Sequence, residues 1–188
     1  MKILTSINED EWASITNIGT TIHLKKDEII FRKGDRSNKE VFLKNGIVRG
    51  FITDEEGNEK STSFFEEGEF MSMQSLRTQK GVSIYNYQAL CCTELLVFDS
   101  KQLKDLLSET KKLSEIGKAI KERELTRLMN RDDCLMQVKA VDKYQKFITF
   151  YPNLERQISQ RYIASYLGIT PVSLSRLKKS MILPTDNN

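Results

Sequence analysis

The strongest constraint on the fold is a pair of closely spaced helix signals within residues 159–179. Ser159 is a suitable N-cap for a first helix, and Gly168 supplies the left-handed residue that ends it. Thr170 can cap a second helix, in which Pro171 occupies the first helical position, where its missing N–H costs nothing. The segment therefore predicts two short helices joined by a tight turn.

The apolar residues of this segment recur at helical spacing. Ile163, Ala164 and Leu167 give the first helix an apolar face, while Leu174 and Leu177 point inward from the second. The outward positions of the second helix are Val172, Ser173, Arg176 and Lys179. This pattern predicts a helix-turn-helix whose second helix enters the major groove of DNA. Capped helical hairpins also occur in proteins that never contact DNA, so the motif alone is a hypothesis.

Charge is distributed unevenly along the chain. The 188 residues contain 29 Lys and Arg against 26 Asp and Glu, a net charge of +3. From Val138 onward there are eight basic and three acidic residues, which leaves the preceding part at −2. A basic end on a slightly acidic body fits a phosphate-binding module joined to another domain, although a solvated surface can show the same asymmetry.

The length allows one large domain or two small ones. The chain has no apolar run of the length that a transmembrane helix needs, and its first residues become acidic before a signal-peptide core can form. We therefore expect a cytoplasmic protein with no membrane partner. Its three cysteines are too few for a disulfide framework, and the adjacent Cys91 and Cys92 are predicted to lie on opposite faces of a strand.

Residues 20–98 alternate short β-branched and aromatic segments with turn signals. Strands are predicted near residues 22–24, 29–31, 41–43, 47–52, 63–65, 85–90 and 94–98. Asn45-Gly46 is a strong hairpin signal, because both residue types tolerate positive φ. Many short strands at this spacing predict an antiparallel sandwich or barrel.

Helical patterns follow the strands. Ser100 is a candidate cap for a short helix, and a longer helix is predicted over residues 113–136, followed by another over 138–151. Isolated helices of this kind are marginal, so the long helix needs a partner surface. It can pack on its own sandwich or pair with the same helix of a second chain.

The order of these parts resembles the Crp/Fnr family of bacterial transcription regulators. The segments that carry the resemblance are KNGIVR at 44–49, FEEGEF at 65–70 and IASYLGIT at 163–170. The resemblance implies an α+β protein with a double-stranded β-helix (jelly-roll) sensor domain at 1–108, a dimerisation helix at 109–137 and a helix-turn-helix domain at 138–188. The few residues after Ile182 leave little or no room for the β-wing that often follows the recognition helix.

The family resemblance implies specific roles for the C-terminal residues. Base contacts fall on Val172, Ser173 and Arg176, and phosphate contacts on Ser159, Gln160, Thr170, Lys178 and Lys179. The dimer helix would present Leu113, Ile116, Ile120, Leu128 and Leu135. The expected partners are double-stranded DNA and a second copy of the chain.

The sensor domain departs from family members that bind cyclic nucleotides. The position of their ribose-binding Glu is occupied here by Met73, and that of their phosphate-binding Arg-Ser pair by Ser83-Ile84. Arg77 can replace the phosphate-binding Arg only if the loop folds back. We therefore expect an unidentified effector other than a cyclic nucleotide. The candidate pocket residues are Met71, Met73, Arg77, Ser83, Tyr85 and Tyr87. Such Met and aromatic residues face a ligand or simply fill the core.

The residues that an iron–sulfur cluster or a metal site would need are too few in this sequence. An iron–sulfur cluster needs about four thiolates, and a cupin metal site needs several His and carboxylate ligands, whereas this chain has three Cys and the single His23. We expect no cofactor, no metal and no enzymatic activity. The alternatives to a DNA-binding regulator are a ligand-binding or protein-interaction module whose helical tail does not read DNA, and a regulator that has no effector.

Overall fold

The structure is a computed structural model that describes residues 8–71 and 81–182. The chain forms two compact units. The first comprises Met1–Phe51 and Phe64–Thr126, and the second comprises Ile52–Ser63 and Arg127–Asn188. The prediction that the chain has little or no wing concerns the residues after Ile182. These residues lie outside the described ranges.

Strands dominate the first half of the chain and helices the second. The strands are β1 (Thr20–Leu24), β2 (Ile29–Phe31), β3 (Lys39–Asn45), β4 (Ile47–Thr53), β5 (Glu59–Glu66), β6 (Phe70–Met71), β7 (Asn86–Ala89) and β8 (Thr93–Asp99). The helices are α1 (Glu9–Asn17), α2 (Ser100–Leu106), α3 (Lys111–Met136), α4 (Ala140–Phe150), α5 (Gln160–Leu167) and α6 (Pro171–Ile182). The long helix and the two helices of the helix-turn-helix are confirmed.

The strands form two four-stranded sheets. The first has the order β1-β8-β3-β6 and the second the order β2-β7-β4-β5. The pairs β1–β8, β3–β8, β3–β6, β2–β7 and β4–β7 are antiparallel. The predicted α+β class with an antiparallel β-sandwich is therefore confirmed.

Each face of the first sheet has its own apolar core. Side chains from both sheets, including Val41 and Tyr87, pack together between the sheets. The other face is covered by helices, so that Phe42 and Phe98 pack with Ile116 and other residues of α1, α2 and α3. Fully buried side chains of this size each stabilise the fold by about 1.5–3 kcal/mol.

Helix α1 was not predicted, although its signal is present in the sequence. Asn8 Oδ1 accepts a hydrogen bond from the Glu11 backbone N–H at 2.8 Å, and the Glu11 carboxylate accepts one from the Asn8 N–H at 3.0 Å. This reciprocal capping box begins the helix. Ile15 then anchors α1 in the core.

The predicted hairpin at Asn45-Gly46 is wrong. Strands β3 and β4, which flank this turn, belong to different sheets, so the turn is a corner that connects the two layers. Gly46 has φ of 106° there. An added Cβ would lie 2.5 Å from Thr93 Oγ1 and 2.9 Å from Thr93 Cα. The sequence signal for positive φ was correct, but the pairing of the strands depends on long-range contacts.

Two smaller predictions are also corrected. Cys91 and Cys92 lie in the bend between β7 and β8, not within a strand. The cap of α2 is Asp99, whose carboxylate accepts hydrogen bonds from the N–H groups of Lys101 and Gln102. Ser100 is the first helical residue and donates its hydroxyl to Glu40 instead. No helix in the described part of the chain is both long and apolar enough to cross a lipid bilayer.

We expect Gly46→Ala to destabilise the first unit by about 3 kcal/mol, because it combines left-handed backbone strain with a clash against Thr93. The matched control is Gly34→Ala, since Gly34 has φ of 96° but nothing lies within 4 Å of its added Cβ. The control should lose only about 1–2 kcal/mol. Urea unfolding of both variants measures the difference, and equal losses would contradict the role assigned to Thr93.

Candidate nucleic-acid interface

The helix-turn-helix has the local geometry that its sequence predicts. Gly168 ends α5 in the left-handed conformation, with φ of 68°. Thr170 precedes α6, and its Oγ1 accepts a hydrogen bond from the Ser173 backbone N–H at 3.1 Å. Pro171 is the first residue of α6. The turn therefore satisfies backbone groups at both helix ends with its own residues.

An apolar and aromatic core holds the two helices from beneath. Ile163, Ala164, Leu167 and Leu174 are completely buried, as predicted. Sequence reasoning missed Tyr166, which is also buried and whose ring packs against those of Phe147 and Tyr151 in α4 and just after it, at centroid distances of 5.7 and 6.1 Å. These contacts fix the orientation of α5 and leave the opposite face of the helix pair to solvent.

The exposed face of α6 carries the predicted base-reading residues. The side chain of Val172 is 59% exposed, and Arg176 is also exposed. Ser173 is exposed too, but its hydroxyl shares a hydrogen bond of 2.9 Å with Thr170 Oγ1. The structure therefore presents one guanidinium and one apolar side chain on the same helix face, with a hydroxyl beside them.

The predicted phosphate-binding residues differ in their availability. Ser159, Gln160 and Lys179 are exposed, and Ser159 is at the N-cap position of α5 without making a side-chain capping bond. The prediction that its hydroxyl caps the helix is therefore wrong. The Thr170 hydroxyl is engaged by the cap of α6.

Lys178 is a correction to the sequence prediction. Its Nζ forms an ion pair with Glu155 Oε1 at 2.5 Å, and both side chains are largely buried. The Tyr144 hydroxyl donates a hydrogen bond to the same carboxylate oxygen. Lys178 therefore holds α6 to the turn between α4 and α5 and is not free to contact a phosphate.

The Glu155 cluster shifts two pKa values. Partial burial by itself would raise the pKa of Glu155, but the hydrogen bonds from Lys178 and Tyr144 outweigh it and hold that pKa below its usual range. Burial, together with the neighbouring carboxylate, raises the pKa of Tyr144. Glu155 is therefore charged and Tyr144 neutral throughout the physiological range.

The part of the β4–β5 hairpin that belongs to the second unit contacts α5. Ser165 Oγ accepts a hydrogen bond from the Ser61 N–H at 2.8 Å and donates one to the Glu59 carbonyl at 2.9 Å. Arg131 of α3 lies over the ring of Tyr166, with its guanidinium carbon 5.5 Å from the centroid. Ser165 is more than 100 positions away in sequence from both partners, so no local pattern predicts this contact.

The candidate effector pocket is only partly described. Met71 and Tyr87 are completely buried in the core between the sheets, and Tyr85 packs against that core. Ser83 is buried and donates its hydroxyl to the Tyr85 carbonyl at 2.7 Å. Met73 and Arg77 lie outside the described residues. For Met71 and Tyr87, the structure thus agrees with the alternative that these side chains fill the core.

The predicted dimer stripe on α3 is wrong for three of its members. Leu113, Ile116 and Ile120 are buried in the core that covers the first sheet, so they are not available to a second chain. Leu128 is exposed and Leu135 is half-buried. The exposed apolar side chains of α3 are Leu125, Leu128, Met129 and Met136.

The described residues contain no cluster of His, Cys, Asp and Glu that could hold a metal ion. Burial raises the pKa of the Cys134 thiol to about 11, with Asp133 adding to the effect, so this thiol stays protonated and unreactive. His23 is an exposed residue of β1.

Comparison with known proteins agrees with this architecture. Residues 21–110 match the family model of the cyclic nucleotide-binding domain. An anaerobic regulatory protein of Haemophilus influenzae is 22% identical over 92% of this chain and 71% of its own length. The transcriptional activator protein Anr of Pseudomonas aeruginosa is 26% identical over 82% of this chain and 67% of its own length.

Solved structures share the fold over nearly the whole chain. A mutant of CooA from Carboxydothermus hydrogenoformans superposes with a TM-score of 0.77 at 19% identity, covering 100% of this chain and 88% of the other. FixK2 from Bradyrhizobium japonicum gives a TM-score of 0.70 at 18% identity, covering 91% and 90%. A β-sandwich of the cyclic nucleotide-binding type followed by a helix-turn-helix defines a class of bacterial regulator. In sequence and in fold the chain is similar to regulators of the Crp/Fnr family of that class.

We expect Glu155→Gln to destabilise the second unit by about 1 kcal/mol at neutral pH, because it removes the charged partner of Lys178. Since the pKa of Glu155 is depressed in the folded state, its stabilising effect is complete above the unfolded value of about 4.3 and is lost as pH falls through the folded value. Urea unfolding from pH 7 to 3 measures this. The control is Glu55→Gln, which changes an exposed carboxylate in the β4–β5 loop. If the free energies of unfolding of wild type and Glu155→Gln differ by the same amount at every pH, the mechanism is contradicted.

Proposed function

We propose that this chain regulates transcription by binding double-stranded DNA as a homodimer, with α6 as the recognition helix. The observation that carries the proposal is the capped helix pair whose buried face is apolar and whose outer face presents Val172 and Arg176. The matched relatives are named as regulatory proteins and transcriptional activators, which supports the same role here.

Arg176 is the proposed base reader. Its guanidinium can donate two parallel hydrogen bonds to O6 and N7 of guanine, which is the commonest specific contact in the major groove. Val172 offers an apolar contact to a thymine methyl group, and Ser173 lies beside it. A binding site with a guanine in each half-site is therefore expected.

Phosphate contacts would come from the N-terminal end of α5 and from the basic end of α6. Ser159 and Gln160 lie where backbone N–H groups of a helix N-terminus point outward, and Lys179 is an exposed cation. We leave Lys178 out of this set because Glu155 neutralises it. These contacts would position α6 without reading sequence.

The proposed effector is not a cyclic nucleotide. When the family pattern is placed on Gly68-Glu69-Phe70, Met73 and Ser83-Ile84 replace the side chains that hold the ribose and the cyclic phosphate in cyclic nucleotide-binding members. The hydroxyl of Ser83 already donates to a backbone carbonyl. A cyclic phosphate would therefore lack its bidentate cationic partner.

The proposed dimer forms through the exposed apolar side chains of α3. Leu125 and Met129 are 58% and 62% exposed, and Leu128 lies between them on the helix. Residues at these spacings of three and four share one helical face. A two-fold pair of such helices would place two recognition helices on a palindromic site.

Selection of duplex DNA from a random pool by the purified protein tests the DNA-binding proposal. We expect an enriched palindrome whose affinity falls steeply with salt, because phosphate contacts release counterions. Arg176→Ala should cost about 1–3 kcal/mol on the selected site and relax preference at one base pair of each half-site. Lys179→Ala should weaken all sequences equally, and Lys26→Ala, an exposed lysine of the β1–β2 turn, should change nothing.

Two results of this selection would contradict the proposal. No enrichment together with a flat salt dependence would favour a ligand-binding or protein-interaction module with a structural tail. If Arg176→Ala binds the selected DNA with unchanged affinity and specificity, Arg176 is not the base-reading residue. In the same assay, cyclic AMP should not alter DNA affinity, and a clear increase would overturn the proposed class of effector.

We expect Leu128→Glu/Met129→Glu to dissociate the dimer, because charges replace apolar side chains at its centre. Sedimentation equilibrium at micromolar concentration should show a dimer for the wild type and a monomer for the variant. The control is Val138→Glu, which adds a charge at a 96% exposed position between α3 and α4. A monomeric wild type would refute the proposed assembly.

A further inference from the structure

A cavity of about 360 Å³ opens in the first unit between α2 and the beginning of α3. This volume lies within the range of sites that hold small organic molecules. The cavity is separate from the core between the two sheets, because it is lined by α2, α3 and residues on the helix-covered face of the first sheet. Among the described residues, the predicted pocket residues of the first unit do not line it, and Ile120 of the predicted dimer helix does.

The floor of the cavity is apolar. It is formed by Phe70 of β6, Leu103 and Leu107 from α2 and the residue after it, and Ile120 of α3. Phe70, Leu103 and Ile120 belong to the core that anchors α3, so their positions are fixed by packing. An apolar group seated on this floor would be removed from water, which is favourable by roughly 25 cal/mol for each Å² buried.

The rim of the cavity is basic. Lys104 projects from α2, and Lys118 and Lys121 project from one face of α3. None of the three forms an ion pair with another residue in the described parts of the chain. The one acidic lining residue, Glu40, is buried and already accepts a hydrogen bond from Ser100 at 2.7 Å. The rim therefore offers three unpaired ammonium groups to an incoming anion.

Gly117 lines the cavity. It lies one position before Lys118 in the interior of α3, where glycine costs about 1 kcal/mol relative to alanine. An added Cβ would only touch Leu107, at 3.6 Å, so no steric clash requires a glycine there. Because glycine has no side chain, this position leaves space in the cavity beside the apolar floor.

We propose that this cavity binds an amphipathic carboxylate, with its apolar chain on the floor and its carboxylate among the three lysines. An inorganic anion would leave the apolar floor exposed, and an uncharged apolar molecule would leave the lysines without a partner. Lysine ammonium groups act as point charges and do not require the fork geometry of an arginine site. The site is independent of DNA binding.

Decanoate, used below its micelle concentration, is the probe. Isothermal titration of the full chain should give saturable binding of one decanoate per chain. Decanol, which lacks the charge, should bind about tenfold more weakly, and decyltrimethylammonium should not bind, because the rim repels a cation. Equal affinity for decanoate and decanol would overturn the role of the lysines.

Variants locate the site. Lys104→Ala/Lys118→Ala/Lys121→Ala should weaken decanoate about tenfold and leave decanol unchanged. Lys26→Ala/Lys101→Ala/Lys111→Ala removes the same charge from exposed positions outside the cavity and should leave decanoate binding unchanged. Equal loss in both triple variants would show only a general charge effect and would refute the site.

Gly117→Phe should fill the cavity and abolish binding of both decanoate and decanol. Circular dichroism verifies that this variant folds; if it does not, the two lysine variants decide the question, since all six lysines are exposed. Wild-type affinity in a folded Gly117→Phe protein, or in the triple variant of the rim, would place decanoate elsewhere and overturn the proposal.

Discussion

The burial of one face of α3 against the helix-covered face of the first sheet is the interaction on which the first unit depends. Leu113, Ile116 and Ile120 each contribute about 1.5–3 kcal/mol by leaving water, which is enough to hold a helix that would be marginal alone. This packing decides which residues remain available. It removes these three side chains from any dimer contact, and it sets the polar edge of α3 beside the cavity.

The second unit follows a similar principle on a smaller scale. An aromatic core around Tyr166 supports α5 from beneath, so the outer face of the helix pair does not have to stabilise the fold. Arg176 and Val172 therefore stay exposed, as their proposed role in recognition requires. Lys178 is the exception, because its ammonium group is tied to Glu155 and the cluster reduces the positive charge of α6 by one. The basic surface is consequently smaller than the composition of the C-terminal segment implies.

Local signals in the sequence predicted the elements well. Gly168, Thr170 and Pro171 act within a few residues of themselves, and the structure confirms the two helices and the turn between them. The capping box of Asn8 and Glu11 is an equally local signal for α1. Predictions that needed a distant partner failed more often. Asn45-Gly46 has the composition of a hairpin turn, but the strands that flank it do not pair with each other. β3 pairs with β8, and β4 pairs with β7 in the other sheet.

The sequence by itself determined the α+β class, the order of sandwich, long helix and helix-turn-helix, and the candidate reading residues of α6. These follow from backbone preferences and hydrophobic periodicity, which act over one or two helical turns. Only the tertiary structure decided which face of α3 is buried, how Ser165 joins α5 to the β4–β5 hairpin, and which lysines are paired. Periodicity reveals that a helix has an apolar face, but which surface covers that face depends on contacts between residues far apart in the chain.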